Sequence, residues 1–295
     1  MLLEMTSHFL LAVCFALCFF VARLLLDTFI FKPLAGVLLL RCGGSMNMIN
    51  DDARRSKIVK CSESMWKLTY YVSMQLWVAL IMLQDYWWLN TKEYFREWAG
   101  GEIDSSLEIF FTCQYGFYLY SIVALVKWET RRKDFPIMMS HHIITSVSME
   151  LTFHIRLLRL GTITLALHDT SDVFLEAAKI FKYLEMETGA LICFGLFAIS
   201  WLILRLIVFP FWIIKAFSYD SRLVVDDFPM SMYYTGSTLL ITLLIFHIYW
   251  WRLICIVIWK QIGNEGKGKV EKDIRSDDED EDDDQSQVLS TGVVI

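Results

Sequence analysis

Apolar residues fall in seven long runs, at 9–31, 64–83, 109–126, 138–157, 161–182, 190–214 and 235–259, separated by shorter polar stretches. A membrane-spanning helix needs about 20 mostly apolar residues, range about 17–25, so each run predicts one crossing. The runs at 109–126, 190–214 and 235–259 are the clearest, whereas 64–83 is aromatic and begins polar. Residues 138–182 hold many polar groups, and two adjacent helices joined at Arg159-Leu160-Gly161 is the simplest parse. The first run carries Arg23 and Asp27, four apart and able to meet on one helix face. No basic stretch or clear small-x-small site precedes them, as a cleaved signal peptide would require, so a retained helix is expected.

Loop charge predicts the orientation. Residues 32–63 include Lys32, Arg41, Arg54, Arg55, Lys57 and Lys60, and residues 127–137 include Lys127, Arg131, Arg132 and Lys133. The stretches 84–108 and 215–234 are acidic on balance. The positive-inside rule then places the N-terminus in the lumen and the C-terminus in the cytosol, which seven crossings satisfy.

Composition agrees with a multi-pass membrane protein: 56% of the 295 residues are hydrophobic and only 20% charged. Mean hydropathy is +0.45. The seven cysteines are scattered, mostly in apolar runs, and read as small hydrophobes. The net charge of −6 arises from the tail, where residues 271–284 hold ten Asp or Glu against Lys272 and Arg275. There is no basic domain, so nucleic-acid binding is not expected. The tail is too charged to fold by itself, and Ser276, followed by Asp277, Asp278 and Glu279, suits an acid-directed kinase.

The candidate chemistry sits in the polar pair of helices. His141, Thr145, Ser148, Thr152 and Arg156 share one face of the first, and Asp169, Asp172 and Glu176 line the second, with His168 beside them. Ionisable groups within hydrocarbon are costly unless paired or facing a polar cavity, so these stripes are expected to face each other. A neutral imidazole can take a proton from an attacking amine or accept an acyl group itself. A carboxylate on its other nitrogen would fix the tautomer and stabilise the imidazolium. The blander reading is interhelical hydrogen-bond glue. No metal is expected: the six His form no H-x-x-H-H box, and C-x-x-C and H-E-x-x-H are absent. From the residues alone, a single ion on His141, His142 and Asp172 stays open. His141 would lie shallower than Asp172, so the two stripes would meet in a sloping cavity. Lys127, Arg131, Arg132 and Lys133 stand at its expected mouth, where they would attract phosphate groups.

His141-His142, Thr145, Arg159-x-Gly161 and LALHDTSDVFLEAAKIFKY at 165–183 resemble the Lag1 motif of ceramide synthases, members of the TRAM/LAG1/CLN8 (TLC) domain family. The resemblance extends through KIVKCSESMWKLTYY at 57–71, KWETRRKDFPIMMSHH at 127–142, FPFWIIKA at 209–216 and FHIYWW at 246–251, covering nearly the whole chain. Plant longevity-assurance (ASC1-like) proteins are the nearest in pattern, through WETRRKDF and the DIRSD of the tail. LTFHIRLLRLG at 151–161 departs from the family's usual Ser-Tyr pattern.

The resemblance implies an all-α, polytopic transmembrane bundle around a lipid or acyl cavity. Residues 1–56 would form the lumenal N-terminus, first helix and basic cytosolic loop. Residues 57–262 would form a TLC domain with six helices, and 263–295 an acidic disordered cytosolic tail. The implied activity is transfer of a fatty acyl group from acyl-CoA to the amine of a sphingoid base in the endoplasmic reticulum membrane. His141, His142, Asp169 and Asp172 would be catalytic, with His168, Glu176, Thr145 and Ser148 in support. No cofactor is implied beyond acyl-CoA as co-substrate. Expected partners are acyl-CoA, the sphingoid base, the bilayer and a kinase at the tail; a homo- or heterodimer is left open. Relatives lacking the signature supply the alternative, a non-enzymatic membrane lipid sensor or transfer protein, or a translocon-associated one.

Overall fold

The computed structural model describes residues 2–42, 51–98, 101–127, 133–224 and 228–263, and among them all regular structure is helical. Helix α1 (Leu2–Leu26) continues through a π-helical turn (Asp27–Phe31) into α2 (Lys32–Cys42). Next come α3 (Asp51–Gln84), two short 3-10 turns (Tyr86–Leu89 and Thr91–Phe95), α4 (Ser105–Lys127), α5 (Phe135–His154) and α6 (Leu158–Tyr183). Helix α7 (Glu187–Ser200) runs into π-helical segments (Trp201–Ile214 and Ala216–Asp220) and the short α8 (Ser221–Val224); α9 is Met230–Gly263. Seven long rods thus stand where the apolar runs lie, and the chain is an all-α polytopic membrane bundle. Four stretches are long and apolar enough to cross a membrane by length and composition: Ser7–Cys42, Ser105–Lys127, Glu187–Leu223 and Met230–Ile262. The other three, α3, α5 and α6, carry more polar groups, and those groups build the site.

Helices α3 and α6 run antiparallel. At one end Lys57 of α3 pairs with Glu185, just beyond α6, at 2.9 Å. At the opposite end Arg159, near the start of α6, pairs with Glu97 at 2.6 Å and lies 3.6 Å from Asp85 beyond α3. Arg159 and Glu97 are both buried, and the guanidinium also sits 5.4 Å from the Trp87 ring centroid. A buried pair of this kind ties the 3-10 turns to the root of α6.

Three sequence-based expectations change. The turn between α5 and α6 falls at Ile155–Leu157, not at Arg159-Leu160-Gly161. Arg156 takes the left-handed conformation there (φ 53°), as residues ending a helix often do. Gly161 serves packing instead: a Cβ on it would lie 2.7 Å from Thr152 Cγ2 and clash with Phe111. Arg23 and Asp27 are held by other groups: Arg23 donates to the Tyr120 hydroxyl at 3.0 Å, while Asp27 takes Lys32 at 2.8 Å and the Ser62 hydroxyl. The π-turn beginning at Asp27 breaks the regular i,i+4 register on which that pairing relied. Much of the stretch expected as a basic loop is helix, in α2 and the first turns of α3. The acidic tail with Ser276 lies outside the described residues.

Helix α1 shows most of its surface to the outside and packs on α4 through small residues. Gly116 lies against Ala12, whose carbonyl oxygen would be 2.7 Å from an added Cβ. Close backbone approach at small residues is the common basis of helix association in lipid. An aromatic cluster of Phe19, Trp66, Tyr70, Phe117 and Tyr120 then joins α1, α3 and α4 beside the cavity described next.

Candidate active site

A cavity of about 250 Å³ lies between the helices, and His141, His142, Asp172, Glu176 and Arg205 all reach it. Each comes from an element with its own reason to be there. Pro136 opens α5, where its missing N–H costs nothing, and the Asp134 carbonyl accepts the Met138 amide at 2.9 Å. The Asp134 carboxylate accepts the Trp250 indole N–H at 3.0 Å, locking the start of α5 to α9. His141 follows and is set edge-on to Trp250, with ring centroids 5.1 Å apart. Its Nδ1 is buried and has no hydrogen-bond partner among the described residues. His142 lies 5.8 Å from it, ring to ring, and 6.0 Å from Tyr118.

Across the cavity, α6 presents Asp172 and, one turn later, Glu176. Asp172 receives Arg205 Nη2 at 3.0 Å, and the same nitrogen donates to the His168 carbonyl at 2.7 Å. The guanidinium stacks 3.9 Å from the Trp201 ring centroid. Glu176 accepts Lys179 Nζ at 2.6 Å. The site therefore contains two ion pairs beside two imidazoles, enclosed by aromatic and aliphatic walls. Such surroundings strengthen each electrostatic contact relative to water.

His168 and Asp169 lie behind this cavity. His168 Nδ1 is 2.6 Å from the Thr164 carbonyl, which can only accept, so Nδ1 carries the proton. Its Nε2 lies 2.9 Å from His247 Nε2, so in the neutral pair His247 donates and His168 accepts. Both nitrogens of His168 are thus occupied. Asp169 Oδ2 accepts the Gln114 amide at 2.7 Å, and Tyr70 donates its hydroxyl to the same Gln114. The carboxylate-to-imidazole pairing expected from the sequence is replaced: Asp172 is held by Arg205 and Asp169 by Gln114.

The polar stripe of α5 also divides. Thr145 and Ser148 line a second, mostly apolar cavity of about 70 Å³, with Gly161 and Gly236 in its wall. Ser148 donates to the Ile144 carbonyl at 2.7 Å. Of the expected entry residues, Lys127 and Lys133 do not line the main cavity, and Arg131 and Arg132 lie outside the described residues. Lys67, Lys179 and Lys182 line it instead. Among the described residues, no three His, Cys, Asp or Glu side chains are grouped to hold a metal ion.

Arg205 and His247 are the groups that sequence reasoning missed. An arginine inside a long apolar run is costly in lipid and is itself a signal of a buried partner. His247 stands in an apolar run among aromatics, where the sequence suggests packing. It does contact Phe209 and Trp201, but it also bonds to His168.

Helical rods enclosing buried ion pairs and a histidine-bearing cavity define a polytopic membrane protein with an ionisable intramembrane site. The TLC domain model matches residues 60–256, two thirds of the chain, and the chain belongs to that family. It is 54% identical to "ASC1-like protein 3" of Oryza sativa subsp. japonica over 279 residues, covering 94% of this chain and 97% of the relative. It is 49% identical to "Ceramide synthase LOH2" of Arabidopsis thaliana over 278 residues, 92% of each chain. Similarity extends to "Ceramide synthase 4" of Bos taurus, at 29% over 221 residues, 75% of this chain and 54% of that one.

Proposed function

We propose that the protein is a ceramide synthase, an N-acyltransferase that moves a fatty acyl group from acyl-CoA to the amine of a sphingoid long-chain base. The observation that carries this is the placement of His141 and His142 together in one cavity, facing the Asp172–Arg205 pair. The names of several relatives support the substrate class.

In the reaction, the amine nitrogen bonds to the thioester carbonyl carbon and the carbon–sulfur bond breaks. The proton lost by nitrogen ends on the departing thiolate, giving amide and free CoA. An imidazole of the pair serves as the base that relays that proton, or as the first acyl acceptor in a two-step transfer. His141, with its ring edge-on to Trp250, is the residue we assign to this step. Arg205 holds Asp172 aimed into the cavity, and the Asp172–Arg205 pair supplies the fixed dipole near developing charge.

The bundle end carrying Lys179 and Lys182 faces the cytosol in this reading, where a water-soluble thioester arrives. The N-terminus is lumenal and the membrane is that of the endoplasmic reticulum. The test is N-acylation by purified protein given a sphingoid base and a panel of acyl-CoAs. Amide formation that depends on both substrates is expected; its absence across the panel contradicts the proposal.

A further inference from the structure

Among the cavity's carboxylates, Glu176 carries a buried oxygen that its ion-pair partner does not take. Asp172 is bonded to Arg205, and the Asp134 carboxylate takes the Trp250 indole. Glu176 pairs with Lys179 on its own helix. Its Oε1 accepts Lys179 Nζ at 2.6 Å, but its Oε2 is buried and has no partner among the described residues. The residue is only 3% exposed, and it lines the cavity. A buried carboxylate oxygen without a donor carries its full desolvation cost, so a donor that reaches it is favoured.

We propose that Glu176 Oε2 docks the polar head of the acceptor lipid, a long-chain amino alcohol, through its N–H and O–H donors. This rests on the acyltransferase reading and names the residue that holds its second substrate. Depth favours it. At 1.5 Å per residue, His141 lies about 9 Å from the start of α5 and Glu176 about 10 Å from the end of α6. The two helices run in opposite directions, so both distances are measured from the same end of the bundle. Asp172 lies one turn deeper. An amine held at Glu176 therefore stands level with the imidazole that is to take its proton. The thioester group itself brings acceptors, and amide N–H donors occur only further along the pantetheine arm. The apolar chain of the lipid has a wall to follow in Phe194, Phe197 and Ile254, which line the same cavity. Lys179 neutralises the carboxylate, so the head that binds needs no net charge to be accepted.

The experiment measures N-acylation by the full-length protein in lipid nanodiscs, with sphinganine and acyl-CoA varied in turn. Loss of a charge-assisted hydrogen bond in E176Q is expected to raise KM for sphinganine about tenfold or more, with KM for acyl-CoA within about twofold of wild type. E176D keeps the charge but withdraws the oxygens by one methylene, and an intermediate rise in the same constant is expected. Melting temperatures of both variants verify folding, and E176D carries the test if E176Q does not fold. Unchanged KM for sphinganine in folded variants overturns the proposal. So does a rise confined to acyl-CoA, which would give the oxygen to the pantetheine amides. A wild-type protein that acylates no long-chain base overturns the acyltransferase reading and this one together, whereas unchanged KM in active variants overturns only this one.

Discussion

Arg205 holds Asp172 inside the bundle at 3.0 Å, and the same guanidinium nitrogen reaches the backbone of His168 one turn earlier on α6. One cation therefore fixes both the position of the acid and the register of the helix that carries it. Arg205 itself is kept in place by the face of Trp201, whose indole N–H donates to the His247 carbonyl at 3.3 Å. Removing one member of such a buried pair leaves the other charge uncompensated, at a cost of about 3–5 kcal/mol.

From this relationship, R205Q and D172N are each expected to lower kcat about a hundredfold or more, as loss of about 3 kcal/mol of electrostatic stabilisation would. The double variant should lose much less than the product of the two, because the partners act as a unit. D169N is expected to be milder. It keeps an acceptor for Gln114 and does not line the cavity. Steady-state kinetics on the four proteins check this. Fully multiplicative losses for Arg205 and Asp172 would show that the pair is not coupled.

The buried clamp at the far end of the bundle gives a stability prediction without a kinetic one. Glu97 bonds Arg159 at 2.6 Å, while Asp85 and Glu93 lie farther off, at 3.6 and 3.7 Å. E97A should destabilise the fold by about 3–5 kcal/mol, partly relieved by the two remaining acids. A thermal-shift measurement in detergent reads the effect. Residual activity per folded molecule should be unchanged, since the clamp lies at the opposite end from the cavity mouth.

Much of the fold was legible because lipid demands long apolar runs, and the structure has a rod at each of them. The turn before α6 was misplaced for a physical reason: glycine marks close packing as readily as a turn, and Gly161 faces Phe111 and Thr152. The adjacent His141 and His142 and the spaced acids of α6 could be read from helical periodicity. Their partners could not, because Arg205 reaches back 37 residues to His168, and His247 reaches back 79. The α5 stripe divides because Thr145 and Ser148 face another cavity, a fact set by which helix stands on each side.

Gly161 supplies a packing test. A methyl at that position meets Thr152 Cγ2 at 2.7 Å and the Phe111 ring still closer. Overpacking of this kind costs about 1–3 kcal/mol. G161A should lower the melting temperature, and G161V should do so further. Wild-type thermal stability in G161V would mean that α5 and α6 do not approach as described.

Orientation is tested by single-cysteine labelling on a cysteine-free background. Lys92 is exposed in the turn after α3, and Lys127 is exposed at the end of α4. A cysteine at 92 should be reached only from the lumen and one at 127 only from the cytosol. Phe95 nearby is fully buried and unsuitable as a reporter. Lumenal labelling at 127 would put the cavity mouth on the wrong side for a cytosolic thioester.

The central claim is that the imidazole pair in the main cavity performs acyl transfer. It is tested most directly by assaying purified wild type, H141A and H142A for amide formation from sphinganine and acyl-CoA, at matched amounts of monodisperse protein. Wild type should form the amide, and each variant should fall by at least about a hundredfold, the scale of a lost general base. Wild-type rates in both single variants, or no amide from the wild type, would contradict the account.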